Sequence, residues 1–192
     1  MSEDTRQRII EAGAELIHQR GFNNTGLKDI LQAAGVPKGS FYFYFPNKEA
    51  FGVEMLAHYG QSFHSVVQAT LENNDLPPLE RLRAFFETFH RYFKSHGFTR
   101  GCPVGNLAQE MGDLSGAFRE ALKDSLDRMA GAIQAVLEQA QRADDIPPDL
   151  DPRETAIFLV EAWHGAIILM KVTKTGEPLE IFYRNIFGHL LK

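Results

Sequence analysis

Along almost the whole chain, apolar residues recur at intervals of three and four. A polypeptide with that spacing buries them only as helices that each carry one apolar face. Ile9, Ala12, Gly13, Leu16 and Ile17 predict a first helix over about 5–20, stopped by Gly21. Leu27, Ile30, Leu31 and Ala34 repeat the spacing in a short second helix that ends at Gly35, the residue best suited to a left-handed turn. No segment alternates with the period of a strand and no internal repeat is present, so the expected fold class is all-α with about nine helices.

The Gly35-Val36 turn is followed by Pro37, which suits the first turn of a third helix over 38–45 before Pro46 ends it. Asn47 caps a fourth helix, over about 47–72. Phe85, Phe86, Phe89 and Phe93 line a fifth helix that ends near Gly97. A short sixth begins at Cys102-Pro103 and reaches Met111, and a long seventh carries Phe118, Leu122, Ile133 and Leu137. Asp151-Pro152-Arg153-Glu154 is a capped start for an unusually apolar eighth helix, and Leu179 to Leu191 form the last.

Helix, tight turn, helix is a DNA-reading arrangement, in which the first helix braces the second and the second enters the major groove. Gly39 and Ser40 let the backbone approach DNA, Lys38 reaches a phosphate or a guanine, and the phenols of Tyr42 and Tyr44 reach phosphates. Phe41 and Phe45 belong to a small core by helical geometry. The net charge of −5 does not oppose this reading. Residues 1–50 carry six basic and six acidic side chains, so the negative excess lies beyond them and Lys28, Lys38 and Lys48 are free to face phosphates. The expected division is a DNA-binding head over 1–50 and an effector-binding and dimerisation body over 51–192.

The run Gly21-Phe22, Thr25, Leu27-Lys28-Asp29-Ile30 and Ala33-Ala34-Gly35-Val36-Pro37-Lys38-Gly39-Ser40-Phe41-Tyr42-Phe43-Tyr44-Phe45-Pro46-Asn47-Lys48-Glu49-Ala50 resembles the TetR family of transcriptional regulators. The resemblance covers roughly the first third of the chain. It implies that Lys38, Gly39, Ser40, Tyr42, Phe43 and Tyr44 read the groove, that Tyr42, Tyr44 and Lys48 bind phosphates, and that the last two helices make a homodimer on a partly palindromic operator. Gly26 stands where the family usually has Ser or Thr, so that phosphate contact passes to Thr25 or to a bare backbone N–H.

The single cysteine, Cys102, cannot form an internal disulfide and falls at the predicted start of the sixth helix, where the helix dipole favours a thiolate. It is read as an effector or redox sensor, with a small packed residue as the alternative. The segment Gly101 to Leu107 resembles a TetR subgroup that includes electrophile-responsive repressors. Tyr59, Phe63, Phe85, Phe89, Phe93, Trp163 and His164 are candidates for an apolar small-molecule pocket, or else simply core. Phe158, Trp163, Ile167, Ile181, Phe182, Ile186 and Phe187 are read as a dimer interface, with a monomer core as the alternative.

His58 and His64, like His90 and His96, are six apart and occupy different helical faces, so no metal site is expected; no cofactor and no catalytic site are expected either. The uncharged apolar runs are too short for a membrane span and the N-terminus has no apolar signal core, which places the protein in the cytoplasm. The expected function is a sequence-specific DNA-binding regulator, a repressor released by a small-molecule or thiol-reactive effector. The rivals are a ligand-binding helical protein without operator binding, and an enzyme pairing Cys102 with His96 or His164.

Overall fold

The computed structural model describes residues 3–192, with side chains from Asp4 onward. Among these residues there are nine α-helices and no strand: α1 Glu3–Arg20, α2 Leu27–Ala34, α3 Phe41–Tyr44, α4 Lys48–Ala69, α5 Pro78–Ser95, α6 Pro103–Met111, α7 Gly116–Arg142, α8 Pro152–Thr173 and α9 Glu177–Asn185. The boundaries follow local chemistry. Gly35 takes φ 65°, and its N–H turns back to the carbonyls of Leu31 and Gln32 to close α2. The Asn47 carboxamide accepts the Ala50 N–H at 2.7 Å at the start of α4, and Asp151 accepts the Glu154 N–H at 2.8 Å at the start of α8. Two ends depart from expectation. The third helix is a 3₁₀ turn, Lys38–Ser40, leading into a single α-helical turn, and the last passes into a π-helical turn over Ile186–Leu190.

The chain divides into two compact units. The first unit comprises the chain up to Ser62 together with Pro103–Ser125, so α6 and the N-terminal part of α7 belong with the helix-turn-helix. Phe118 of α7 packs edge-on against Phe22 at 5.0 Å within this unit. The second unit comprises Phe63–Cys102 and Leu126–Lys192.

The second unit is organised around Phe86, which is fully buried. Its ring meets Trp163 at 5.0 Å, Phe182 at 4.9 Å and Phe85 at 5.2 Å, in tilted and edge-to-face arrangements. Arg81, 4% exposed, is held by the Leu71 carbonyl, Asn74 and Gln139 rather than by an acid. One face of α8 joins this core through Leu159, Trp163, Ile167 and Met170, while Phe158, Leu169 and Val172 lie exposed on another. By length and composition alone α8 is long and apolar enough to cross a membrane. Replacing Phe86 with alanine empties the centre of this unit and lowers stability by about 3–5 kcal/mol. A urea unfolding midpoint unchanged from wild type would contradict its role as the hub.

Candidate functional site

In the first unit, α3 is built so that its outer residues have nowhere to go but solvent. Phe41 and Phe45 are fully buried and pack on Phe51 of α4, with centroids 5.6 and 5.1 Å away. A helix of four residues anchored by its first residue and its cap turns the intervening side chains outward, and Tyr42 and Phe43 are 62% and 66% exposed. Pro37 is extended, with φ −64° and ψ 150°, and precedes the helical turns instead of opening them. The proline ring restrains φ alone, and here ψ takes the extended value.

Lys28, Lys38 and Gly39 are exposed beside these residues in the chain, and a Cβ on Gly39 would meet nothing within 4 Å, so its backbone is open to a ligand. Tyr44 is half-buried and Ser40 is buried. Two expected phosphate contacts are placed differently. Thr25 is fully buried and its hydroxyl donates to the Gly21 carbonyl at 2.7 Å, so it serves the loop between α1 and α2. Lys48 turns inward: its ammonium donates to the Phe22 carbonyl at 2.5 Å and lies 4.3 Å from the centre of the Phe22 ring. Burial lowers its pKa, a change opposed by the nearby Glu110 carboxylate. Glu110 itself accepts the Phe22 and Asn23 N–H groups at 2.8 and 2.6 Å, a role with no signal in the sequence because the partners lie almost ninety residues away.

The family model for "Bacterial regulatory proteins, tetR family" matches residues 9–55, and that for "Tetracyclin repressor-like, C-terminal domain" matches residues 78–186. The chain belongs to the TetR family. The transcriptional regulator AcuR of Cereibacter sphaeroides is 37% identical over 96% of this chain and 84% of its own length. The transcriptional repressor DhaR of a Mycobacterium species is 34% identical over 97% and 92%. The crystal structure of Escherichia coli NemR in its reduced form superposes with a TM-score of 0.91 at 31% identity, over 99% of this chain and 98% of that one. A TetR-family chain with this helix-turn-helix is a DNA-binding transcriptional regulator.

The effector candidates of this TetR-family member are distributed unequally. The hydroxyl of Tyr59, on α4, donates to the Ala14 carbonyl at 2.6 Å. Phe63, Phe85 and Phe89 form a chain of edge-to-face rings in the second unit, and Phe93 and Trp163 are buried beside them. Among the residues read as a dimer interface, Trp163, Ile167, Phe182, Ile186 and Phe187 are instead buried in this unit's own core. Phe158 and Ile181 remain exposed. Helical spacing reports that a face is apolar without saying whether its own chain or a second chain covers it.

Cys102, half-buried, interacts with His164 of α8. The imidazole Nδ1 lies 2.8 Å from the Val160 carbonyl, and Nε2 is buried with no hydrogen-bond partner among the described residues. His96, the other histidine considered for the thiol, is bound to the Tyr92 carbonyl on α5. Burial alone would lower the His164 pKa, but the Cys102 side chain and the Val160 carbonyl outweigh it and raise the pKa above the ordinary 6.5. The folded state therefore binds the His164 proton more tightly than the unfolded chain. The resulting stabilisation is complete below pH 6.5 and disappears as the pH rises through the raised value. An NMR titration of the imidazole should give a midpoint above 6.5 that falls in Cys102→Ser; a wild-type midpoint at or below 6.5 would exclude the pairing.

Proposed function

We propose that this protein is a homodimeric cytoplasmic repressor that binds a partly palindromic operator and leaves it when a thiol-reactive or small-molecule effector engages the second unit. The observation carrying the reading is the outward presentation of Lys38, Gly39, Tyr42 and Phe43 on a turn whose neighbours Phe41 and Phe45 are locked in the core. Such a surface offers a cation, a bare backbone and a phenol to phosphates and base edges. Lys28 extends the basic surface along α2. The repressor names of DhaR and NemR support the direction of regulation.

For the effector, the Cys102–His164 pair supports a thiol that reacts with electrophiles, because an imidazolium beside sulfur favours the nucleophilic thiolate. The NemR crystal structure is that of a reduced form. We read the pair as a stoichiometric sensor rather than an enzyme's nucleophile and base, since the relatives named above are regulators. In fluorescence anisotropy against an operator duplex selected from random DNA, the reduced protein should bind and resist competitor, and Lys38→Ala should weaken binding and reduce the salt slope by about one. N-ethylmaleimide should lower wild-type operator affinity about tenfold or more while sparing Cys102→Ser. Binding no tighter than to random duplex would sink the regulator reading, and equal release of both proteins would sink the thiol reading.

The dimer reading is supported by α8, whose Phe158, Ala162, Gly165, Leu169 and Val172 recur at alternating steps of four and three, forming a stripe separate from the buried face. A helix apolar on both sides needs two partners, and one is already its own core. Phe158, Ala162, Gly165 and Leu169 line one groove together with Pro178, Ile181 and Asn185 of α9 and His189 of the π-helical turn. Light scattering at micromolar concentration should give a dimer for wild type and a monomer for Leu169→Glu, and a wild-type monomer would contradict this assignment.

A further inference from the structure

The loop between α1 and α2 belongs to no helix, yet side chains from three directions hold its backbone. Thr25 donates to the Gly21 carbonyl, Lys48 of α4 donates to the Phe22 carbonyl, and the Glu110 carboxylate of α6 accepts both the Phe22 and Asn23 amides. Two adjacent amides aimed at one carboxylate form a small anion cradle. Gly21 makes room for it twice over. Its φ of +87° favours glycine, and a Cβ there would lie 3.1 Å from Glu110 Oε2. Beside the carboxylate, the Asn23 carboxamide approaches the Met111 sulfur at 3.8 Å, so the last turn of α6 is bound to the loop at several atoms.

The arrangement exceeds what closing a loop requires. Thr25 and Lys48 already engage two of its carbonyls, those of Gly21 and Phe22, from within the segment up to Ser62. Glu110 is different because it fastens the loop to a helix outside that segment. α6 begins at the residue after Cys102, and Glu110 lies seven residues on, about 11 Å along the helix at the standard rise. Asn23 in turn lies four residues before α2, which the Gly35 turn joins to Lys38 and Tyr42. We infer that Glu110 is the positioning residue through which α6 sets the placement of the DNA-reading helices, so that a shift of α6 changes operator affinity through this carboxylate. The inference rests on the operator-binding reading above.

Glu110→Gln is nearly isosteric, removes the charge facing two amides and a lysine, and tests the inference in the full-length protein. Against the operator duplex selected by wild type, affinity should fall about tenfold, in proportion to a weakened charge-assisted pair, while affinity for random duplex is unchanged. Glu110→Asp, which keeps the charge, should recover part of the loss. Unchanged operator affinity in Glu110→Gln would overturn the inference, as would equal losses on both duplexes with a lower melting temperature, the mark of a merely structural residue. Hydrogen exchange on the wild type gives an answer even if the variants do not fold. The Phe22 and Asn23 amides should be protected as strongly as those inside α2, and rapid exchange at both would overturn the latch. Wild type retaining no operator would reject the operator reading and the inference together, whereas normal wild-type binding with indifferent variants would reject the inference alone.

Discussion

Edge-to-face and tilted packing of buried aromatic rings is the interaction on which both compact units depend. In the first, Phe41, Phe45 and Phe51 meet at centroid distances between 5.1 and 5.6 Å; in the second, Phe86 holds Trp163 and Phe182. Rings bury large areas with few rotatable bonds, and their edge-on preference fixes orientation as well as distance. An α3 of only four residues has too few hydrogen bonds to hold itself, and its geometry is borrowed from the buried Phe41 and Phe45.

The same economy explains how residues that look interchangeable in sequence separate into different tasks. Tyr42 and Tyr44 are two apart on one short helix, yet the first is exposed and the second half-buried. Lys38 and Lys48 are both basic and close to the turn, but the first meets solvent while the second gives its charge to the Phe22 carbonyl and ring. A cation over an aromatic face, with a carboxylate nearby, makes a structural fastening from a residue type usually assigned to phosphate.

In the second unit, the thiol gains its interest from what surrounds it. The Val160 carbonyl engages one nitrogen of His164, and the same ring interacts with Cys102. Tyr183 is half-buried with its hydroxyl oxygen enclosed, and burial together with Glu87 pushes its pKa up, so it stays a neutral phenol.

Much of this was legible in the residues themselves. The three-and-four spacing specified helices because one face of each had to leave water, and Gly35, Asn47 and Asp151 marked boundaries because caps and left-handed turns demand particular side chains. The family motif pointed to the helix-turn-helix because its glycine, proline and aromatic residues serve local geometry. Other features involve partners distant in sequence. The bond of Glu110 to the Phe22 and Asn23 amides, the pairing of Cys102 with His164, and the burial of Trp163 and Phe187 within their own unit all join positions that periodicity treats as independent. Spacing along a helix states which side is apolar or charged; only the packed structure decides what meets that side, because contact is settled by the folding of the whole chain.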